Sequence, residues 1–314
     1  MRQLPVILIV SVAATLHAQA LLTETLLTEV GRVERDMQQV TTEEERGGAE
    51  IRLARAADAA RKGRIYLSLH ELSGAWRLQA ASAFAARLRD SVKTADDFRR
   101  EWKSVGEPHP PSPALSLPLA IAAIVTASEA AAPATYRASL PFAEDAGVGS
   151  GVYYLGDADA AMRFGAFSRS LTFTHRGRRP PLRSIAPELE RFETEVLKHH
   201  NQADAAARRP YIQISVGLKI ARERDTSGDY GAALLQYLLA RYQHALLLTT
   251  APATDVSGRI KVSQAGMRDA DHSIGELFLQ MALAQLESSD PKGSIAATAI
   301  MDVVIPEYIG IVKR

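Results

Sequence analysis

The stretch IQISVGLKIARERDTSGDYGAALLQYLLARYQHALLL, residues 212–248, decides the fold. Its second half, 231–248, is apolar on nearly every face, which predicts a central, buried helix. The segment 212–220 alternates apolar residues with polar or small ones, a period that is also typical of a strand. We interpret it as a helix, because the chain offers no partner strand and a lone strand leaves its backbone groups unpaired. The turn around Gly228 then joins two helices.

Composition extends this interpretation to the whole chain. Alanine and leucine dominate, whereas aromatic residues make up 6%, and such a composition favours helix over strand. We therefore predict an all-α fold of antiparallel helical hairpins, arranged as an irregular α-solenoid or a helical bundle.

The first twenty residues have the pattern of a signal peptide. Arg2 precedes the apolar run 4–16, and the small-x-small sequence ending at Ala20 is typical of a cleavage site. The alternative, an uncleaved anchor, is disfavoured because a membrane span needs about 20 apolar residues. We expect an exported protein, periplasmic or extracellular after cleavage near Ala20, with no transmembrane span in the mature chain.

Charge and cysteine content exclude several classes of function. The chain has 37 lysines and arginines against 36 acidic residues, so loss of Arg2 with the signal peptide leaves no net charge. Nucleic-acid binders normally carry a basic surplus, and none is predicted here. The absence of cysteine excludes disulfides, thiolate metal sites and a lipoprotein anchor. No cofactor is predicted.

A proline-rich segment suggests a boundary between two helical regions. Residues 106–118 contain five prolines, which remove backbone donors and disfavour helix. We predict a signal peptide at 1–20, an N-terminal helical region at 21–105, a linker at 106–118 and a main helical domain at 119–314.

Within these regions the pattern makes several local predictions. Apolar residues at 22, 26, 30, 33 and 37 form a helix stripe. Thr94 is predicted to cap a helix at 95–103, the segment 134–142 is predicted to be irregular, and Pro306 is predicted to kink or end the last helix.

Similar turns recur along the chain. Gly63, Gly156, Gly228 and Pro291 are each predicted to separate two helices, and glycine permits the left-handed turn that ends a helix. The segments YYLGDADAAMRFGAFSRSL (153–171) and DTSGDYGAALLQYLLARYQHAL (225–246) resemble the turn and second helix of tetratricopeptide-like repeats. The turns are 93, 72 and 63 residues apart, whereas tandem repeats recur at about 34. The array is therefore divergent and interrupted, and the alternative is an ordinary helical domain.

The resemblance implies a scaffold with a concave surface for a protein or peptide partner, and it implies no catalytic residues. Aromatic residues are enriched at such interfaces. The candidate groove residues are Tyr153, Tyr154, Tyr237, Arg241 and Tyr242. The basic loop of Arg176, Arg178, Arg179 and Arg183 is a second candidate surface, for an anionic partner or lipid headgroups.

Two groups of residues suggest metal binding. Asp269, His272 and Glu276 share one face of a predicted helix, and imidazole with carboxylate is a possible ligand set. Acids at a helix start also serve as caps, which is the alternative. Glu195, His199 and His200 form a second group on another helix.

Together these patterns predict an exported binding or assembly protein without an evident catalytic site. The alternative is a metal-binding protein or enzyme that uses Asp269, His272 and Glu276.

Overall fold

The computed structural model describes residues 4–37, 43–110, 116–173, 177–203 and 208–313. Within these ranges the chain is helical and contains no strand, so the predicted all-α class is confirmed. The helices are α1 (Leu4–Met37), α2 (Glu43–Arg61), α3 (Ile65–Leu88), α4 (Ala95–Val105), α5 (Leu119–Asp145), α6 (Val148–Ser170), α7 (Ala186–Gln202), α8 (Arg208–Thr226), α9 (Tyr230–Leu248), α10 (Val256–Ala265), α11 (Ser273–Leu286), α12 (Gly293–Ala299) and α13 (Ile305–Val312), with a π-helical segment Ile300–Val304 between the last two.

The chain forms two compact units. Unit 1 comprises Met1–Leu117 and Val125–Thr174, and unit 2 comprises Pro118–Ile124 and His175–Arg314. The predicted main domain at 119–314 is therefore divided, because most of α5 and all of α6 group with the N-terminal helices. The described parts of the predicted linker, 106–110 and 116–118, contain no helix.

Unit 1 is built on the apolar stripe of α1. All five stripe positions are buried, as predicted: Leu22, Leu26, Val30, Val33 and Met37. Helices α2 and α3 form a hairpin at Gly63, which has the positive φ of 69° that such a turn requires. Helix α3 also packs on α6. The predicted cap is confirmed, since Thr94 accepts a hydrogen bond from the backbone of Asp97 at 3.2 Å.

The prediction of a turn at Gly156 is wrong. Helix α6 runs through this residue without interruption, and the turn before it lies at Gly147. Gly156 instead allows close packing, because a Cβ at this position would lie 2.7 Å from the Cβ of Phe84 on α3. A small residue inside the helix thus brings α3 and α6 together.

The prediction of an irregular segment at 134–142 is also wrong, because these residues belong to α5. Pro133 and Pro141 lie inside this helix, although each removes a backbone donor. The helix persists because Ala132, Tyr136 and Ala143 bury one continuous face.

Two helical stretches are long and apolar enough to cross a membrane by length and composition, Leu119–Asp145 and Gly293–Val312. More than half of the apolar window of each is buried inside the protein. The first contains Glu129, which is 2% exposed and accepts hydrogen bonds from the guanidinium of Arg169 through both carboxylate oxygens.

Unit 2 contains the hairpin of α8 and α9. The segment 212–220 is helical, as predicted. Its buried face follows the helical period through Ile214, Leu218 and Ala221, whereas Ile212 and Val216 are each 55% exposed. The predicted turn at Gly228 is confirmed, with a φ of 83°.

The C-terminal helices complete unit 2. The predicted break near Pro291 is confirmed, since α11 ends at Leu286 and α12 begins at Gly293. Pro306 was predicted to kink or end the last helix. Proline has no backbone N–H, and Pro306 lies just after the π-helical segment, where the register of the helical hydrogen bonds changes. The helix therefore continues through this residue.

Candidate ligand-binding site

Unit 2 contains a cavity of about 690 Å³ with largely apolar walls. Four parts of the chain form it: the loop 178–181, helix α10, the turn and helix start at 266–272, and helix α13. The lining residues are Arg178, Arg179, Pro180, Pro181, Val262, Ser263, Gly266, Met267, Asp269, Ala270, His272, Tyr308, Ile309, Val312 and Lys313.

The buried carboxylate of Asp271 fixes the loop and the helix start that border this cavity. The backbone N–H of Asp271 donates to the carbonyl of Arg178 at 3.0 Å. Its side chain accepts from the backbone of Leu119 at 2.8 Å and from the hydroxyl of Ser273 at 2.6 Å. Because these bonds join the loop, the start of α5 and the start of α11, the cavity wall has a defined position.

The apolar surface of the cavity extends from the core to solvent. Met267 and Tyr308 are 4% and 1% exposed, and Ile309 and Val312 are half-buried. Val262 on α10 is 74% exposed. A valine that lines a cavity and remains this exposed loses the favourable free energy of burial, about 1.5 kcal/mol or more. A ligand in the cavity would supply the missing apolar contact.

A histidine and a tyrosine interact at the inner wall. Nδ1 of His272 lies 2.9 Å from the hydroxyl of Tyr308, and its Nε2 lies 3.4 Å from Oδ1 of Asp269. Burial raises the pKa of the Tyr308 phenol above its ordinary value. Because each ring nitrogen of His272 faces an oxygen, the imidazole links Tyr308 to Asp269 at this wall.

The rim of the cavity is mainly cationic. Arg178 and Lys313 are exposed, and Arg179 is half-buried. Asp269 is the acidic residue in the described lining, and its side chain is 84% exposed. Since apolar walls lie beneath a positive rim, the cavity matches a ligand with an apolar body and a negatively charged group.

The predicted metal set only partly comes together here. Asp269 and His272 are adjacent and both line the cavity. Glu276 lies half-buried in the first turn of α11, and in the described chain these three do not form a close three-ligand group.

The arginines of the basic loop have different surroundings. Arg178 and Arg179 line the cavity. Arg183 instead donates to both carboxylate oxygens of Glu188, at 2.6 and 3.2 Å. Arg176 lies outside the described residues.

The predicted groove residues lie in different places. Tyr237 is 1% exposed, and its hydroxyl donates to Glu307 at 2.8 Å, so it belongs to the core of unit 2. Tyr242 is half-buried on the same helix. In unit 1, Tyr153 borders a cavity of about 510 Å³, and Tyr154 stacks on Phe142 with ring centroids 4.2 Å apart.

The second predicted metal group has a different third member in the structure. Glu195 and His199 lie beside His244 of α9, a residue that sequence reasoning missed, whereas His200 is 3.3 Å from the side chain of Asn201. Burial lowers the pKa of His244 to about 4, so its ring is neutral at neutral pH. Arg241, predicted as a groove residue, pairs with Glu195 at 2.8 Å.

Sequence reasoning also missed the apolar part of the cavity. Val262 and Met267 lie in a segment without clear periodicity, and Tyr308 follows Pro306 where a helix end was expected. A cavity wall made from such separated pieces leaves no local signal in the sequence.

The chain matches no known family model, no curated protein and no solved structure. Its function is therefore inferred from the geometry and charge of its own side chains.

Proposed function

We propose that this protein is an exported binding protein whose unit 2 cavity takes an apolar, negatively charged segment of a protein or peptide partner. The main support for this proposal is the exposed Val262, which lines an apolar cavity with a cationic rim. Its volume of about 690 Å³ lies in the range of ligand sites, roughly 300–1,000 Å³. Such a space holds a few side chains of a partner rather than a whole helix.

The helical scaffold supports a binding role. Consecutive helices pack against each other in the pairs α2 with α3, α7 with α8 and α8 with α9. The segment 225–246, which resembles the turn and second helix of a tetratricopeptide-like repeat, contains the turn that joins α8 to α9. Proteins of that kind present stacked helices to protein or peptide partners, and we extend this role to the present chain.

The arrangement of α1 is compatible with export. Among the described side chains, the buried stripe of α1 begins at Leu22. Cleavage near Ala20 therefore removes none of the five predicted stripe residues. The mature chain would keep this buried stripe, whereas Gln19, which lies close to Gly63 between α2 and α3, would be removed.

The alternative based on Asp269, His272 and Glu276 has less support. His272 already contacts Tyr308 through Nδ1, and the side chain of Asp269 is 84% exposed. Among the described residues, Glu276 does not join Asp269 and His272 in a close group of three ligand atoms.

A small probe tests the proposed chemistry. Anilinonaphthalene sulfonate joins an apolar ring system to an anionic sulfonate, so it should bind the cavity of the folded full-length chain. We expect Val262→Asp to weaken this binding by about tenfold or more, because it places a carboxylate on the apolar wall of a site that favours anions. Fluorescence titration measures the change.

The matched control is Leu197→Asp, which changes another exposed apolar residue of unit 2, 59% exposed on α7. This variant should bind the probe like the unmodified chain. Equal binding by the Val262→Asp and Leu197→Asp variants would exclude the cavity as the anion-binding apolar site.

A further inference from the structure

A histidine pair and a carboxylate meet between α7 and α9. His199 and Glu195 are four residues apart on one face of α7, and His244 lies opposite them on α9. Nδ1 of His199 is 2.9 Å from Nε2 of His244, and Oε1 of Glu195 is 3.5 Å from Nδ1 of His244. One possible ligand atom from each of the three residues lies within 4.8 Å of the other two.

We propose that Glu195, His199 and His244 bind one divalent transition-metal ion of the zinc class. Zinc takes imidazole nitrogen at about 2.0–2.1 Å and carboxylate oxygen at similar distance, so tetrahedral ligands lie roughly 3.4 Å apart. The 2.9 and 3.5 Å contacts use different nitrogens of His244, and one ion takes only one of them. One ligand atom from each residue lies within 4.8 Å of the other two, so side-chain rotations that shorten these separations would place all three on one ion.

The surroundings of His244 hold its ring in place. The residue is 2% exposed. The ring of Phe192 meets it edge-on with centroids 5.2 Å apart, and Tyr211 lies 6.2 Å away. His199 and Glu195 are only half-buried, so the side of the cluster opposite His244 is open to solvent. A three-ligand zinc site keeps such an open position for water or another ligand.

Arg241 positions the carboxylate. Its guanidinium donates to Oε2 of Glu195 at 2.8 Å and lies 4.4 Å above the ring of Phe192. This contact leaves Oε1 of Glu195 facing His244. Because the arginine offsets the charge of the single carboxylate, the cluster is poor in negative charge. It therefore favours ions that accept imidazole and disfavours Ca²⁺ and Mg²⁺, which require several oxygen ligands.

Cobalt provides a direct measurement. The full-length chain, stripped of metal, is titrated with Co²⁺, whose visible absorption reports coordination by protein ligands, and Zn²⁺ is then used to displace it. We expect one ion per chain, displacement by Zn²⁺ and none by Ca²⁺ or Mg²⁺. His199→Ala and Glu195→Gln should each weaken Co²⁺ binding by about tenfold or more.

Two matched controls separate this site from others. His200→Ala removes the neighbouring histidine of α7, and His272→Ala removes the histidine of the cavity; both should bind Co²⁺ like the unmodified chain. His199 and Glu195 are half-buried, so their variants are expected to keep the helical circular dichroism spectrum of the parent.

Three results would overturn the proposal. The first is the absence of saturable Co²⁺ binding by the unmodified chain. The second is Co²⁺ binding that persists in both His199→Ala and Glu195→Gln. The third is a loss of Co²⁺ affinity in His200→Ala that equals the loss in His199→Ala. If His199→Ala or Glu195→Gln loses the helical circular dichroism spectrum, the Co²⁺ affinity of the other variant decides the outcome.

Discussion

At the scale of single residues, buried acidic side chains organise the helices of this protein. Glu129, Glu188, Asp225 and Asp271 are each less than 10% exposed. Burying a carboxylate is costly unless it is paired or hydrogen-bonded, and each of these four accepts hydrogen bonds. Their partners are arginines, serine hydroxyls or the backbone donors at a helix start, so each acid fixes one part of the chain against another.

Glu188 gives a prediction for the dependence of stability on pH. The guanidinium of Arg183 lowers the pKa of this carboxyl below its ordinary value. A lowered pKa in the folded state means that the pair stabilises the fold above the ordinary carboxyl pKa of about 4.3, and that this contribution is lost as pH falls through the folded pKa. Glu188→Gln should therefore reduce the free energy of unfolding by about 1–2 kcal/mol near neutral pH.

Urea unfolding at several pH values measures this effect. The difference between the parent and Glu188→Gln should shrink as pH falls below about 4.3 and through the lowered folded-state pKa of Glu188. Glu190→Gln, at an exposed acid of the same helix, should show little difference at any pH. A Glu188→Gln deficit that stays constant down to acid pH would contradict an electrostatic role.

Residues whose roles depend on local sequence were predictable, and those with distant partners were not. Thr94 caps α4 through a residue three positions away, so its role was visible in the sequence. Asp225 instead binds the backbone of Ile185, 40 residues earlier. His244 meets His199 across 45 residues. The fold alone brings these groups together, so spacing indicated Glu195 and His199 but could not show their third partner, His244.

At the scale of helices, apolar spacing predicted the α1 stripe, since burial of one face determines which backbone conformation is stable. The helix at 212–220 was predicted because a lone strand leaves its backbone unpaired, although its apolar residues alternate as in a strand. Glycine and proline correctly marked the turns at Gly63, Gly228 and Pro291 but misled elsewhere. Gly156 was interpreted as a turn, and the segment between Pro133 and Pro141 as irregular. Both lie inside helices because packing against neighbours outweighs the local preferences of glycine and proline.

Gly156 provides the test of this packing. Alanine normally favours a helix interior over glycine by about 1 kcal/mol. At this position the added methyl would lie 2.7 Å from the Cβ of Phe84, and such overpacking costs roughly 1–3 kcal/mol. Gly156→Ala should therefore not raise the free energy of unfolding by the amount that alanine normally contributes in a helix, and overpacking should lower it. Urea unfolding measures this free energy.

Gly149→Ala on the same helix is the control, because a Cβ at Gly149 meets nothing within 4 Å. It should not destabilise the protein. If Gly156→Ala proved more stable than Gly149→Ala, close contact between α3 and α6 would not be the reason for glycine at this position.

At the scale of the whole molecule, the proposed binding function belongs to unit 2. The loop 178–181, the segment 262–272 and the segment 308–313 form the cavity. The basic loop and the Asp269–His272 pair were recognised separately in the sequence, and the structure places parts of both in one wall. The basic loop indicated an anionic ligand, whereas the apolar residues that complete the site were not visible in either motif.

The most direct test of the proposed function is site-specific photo-crosslinking in the native host. A photoreactive amino acid is introduced at Val262, in the cavity, or at Leu197, on α7, in the otherwise unmodified chain. We predict that the probe at Val262 gives a discrete crosslinked partner in the exported fraction, that the probe at Leu197 does not, and that Arg178→Glu weakens the crosslink. Identical products from both positions, or no product from Val262, would contradict it.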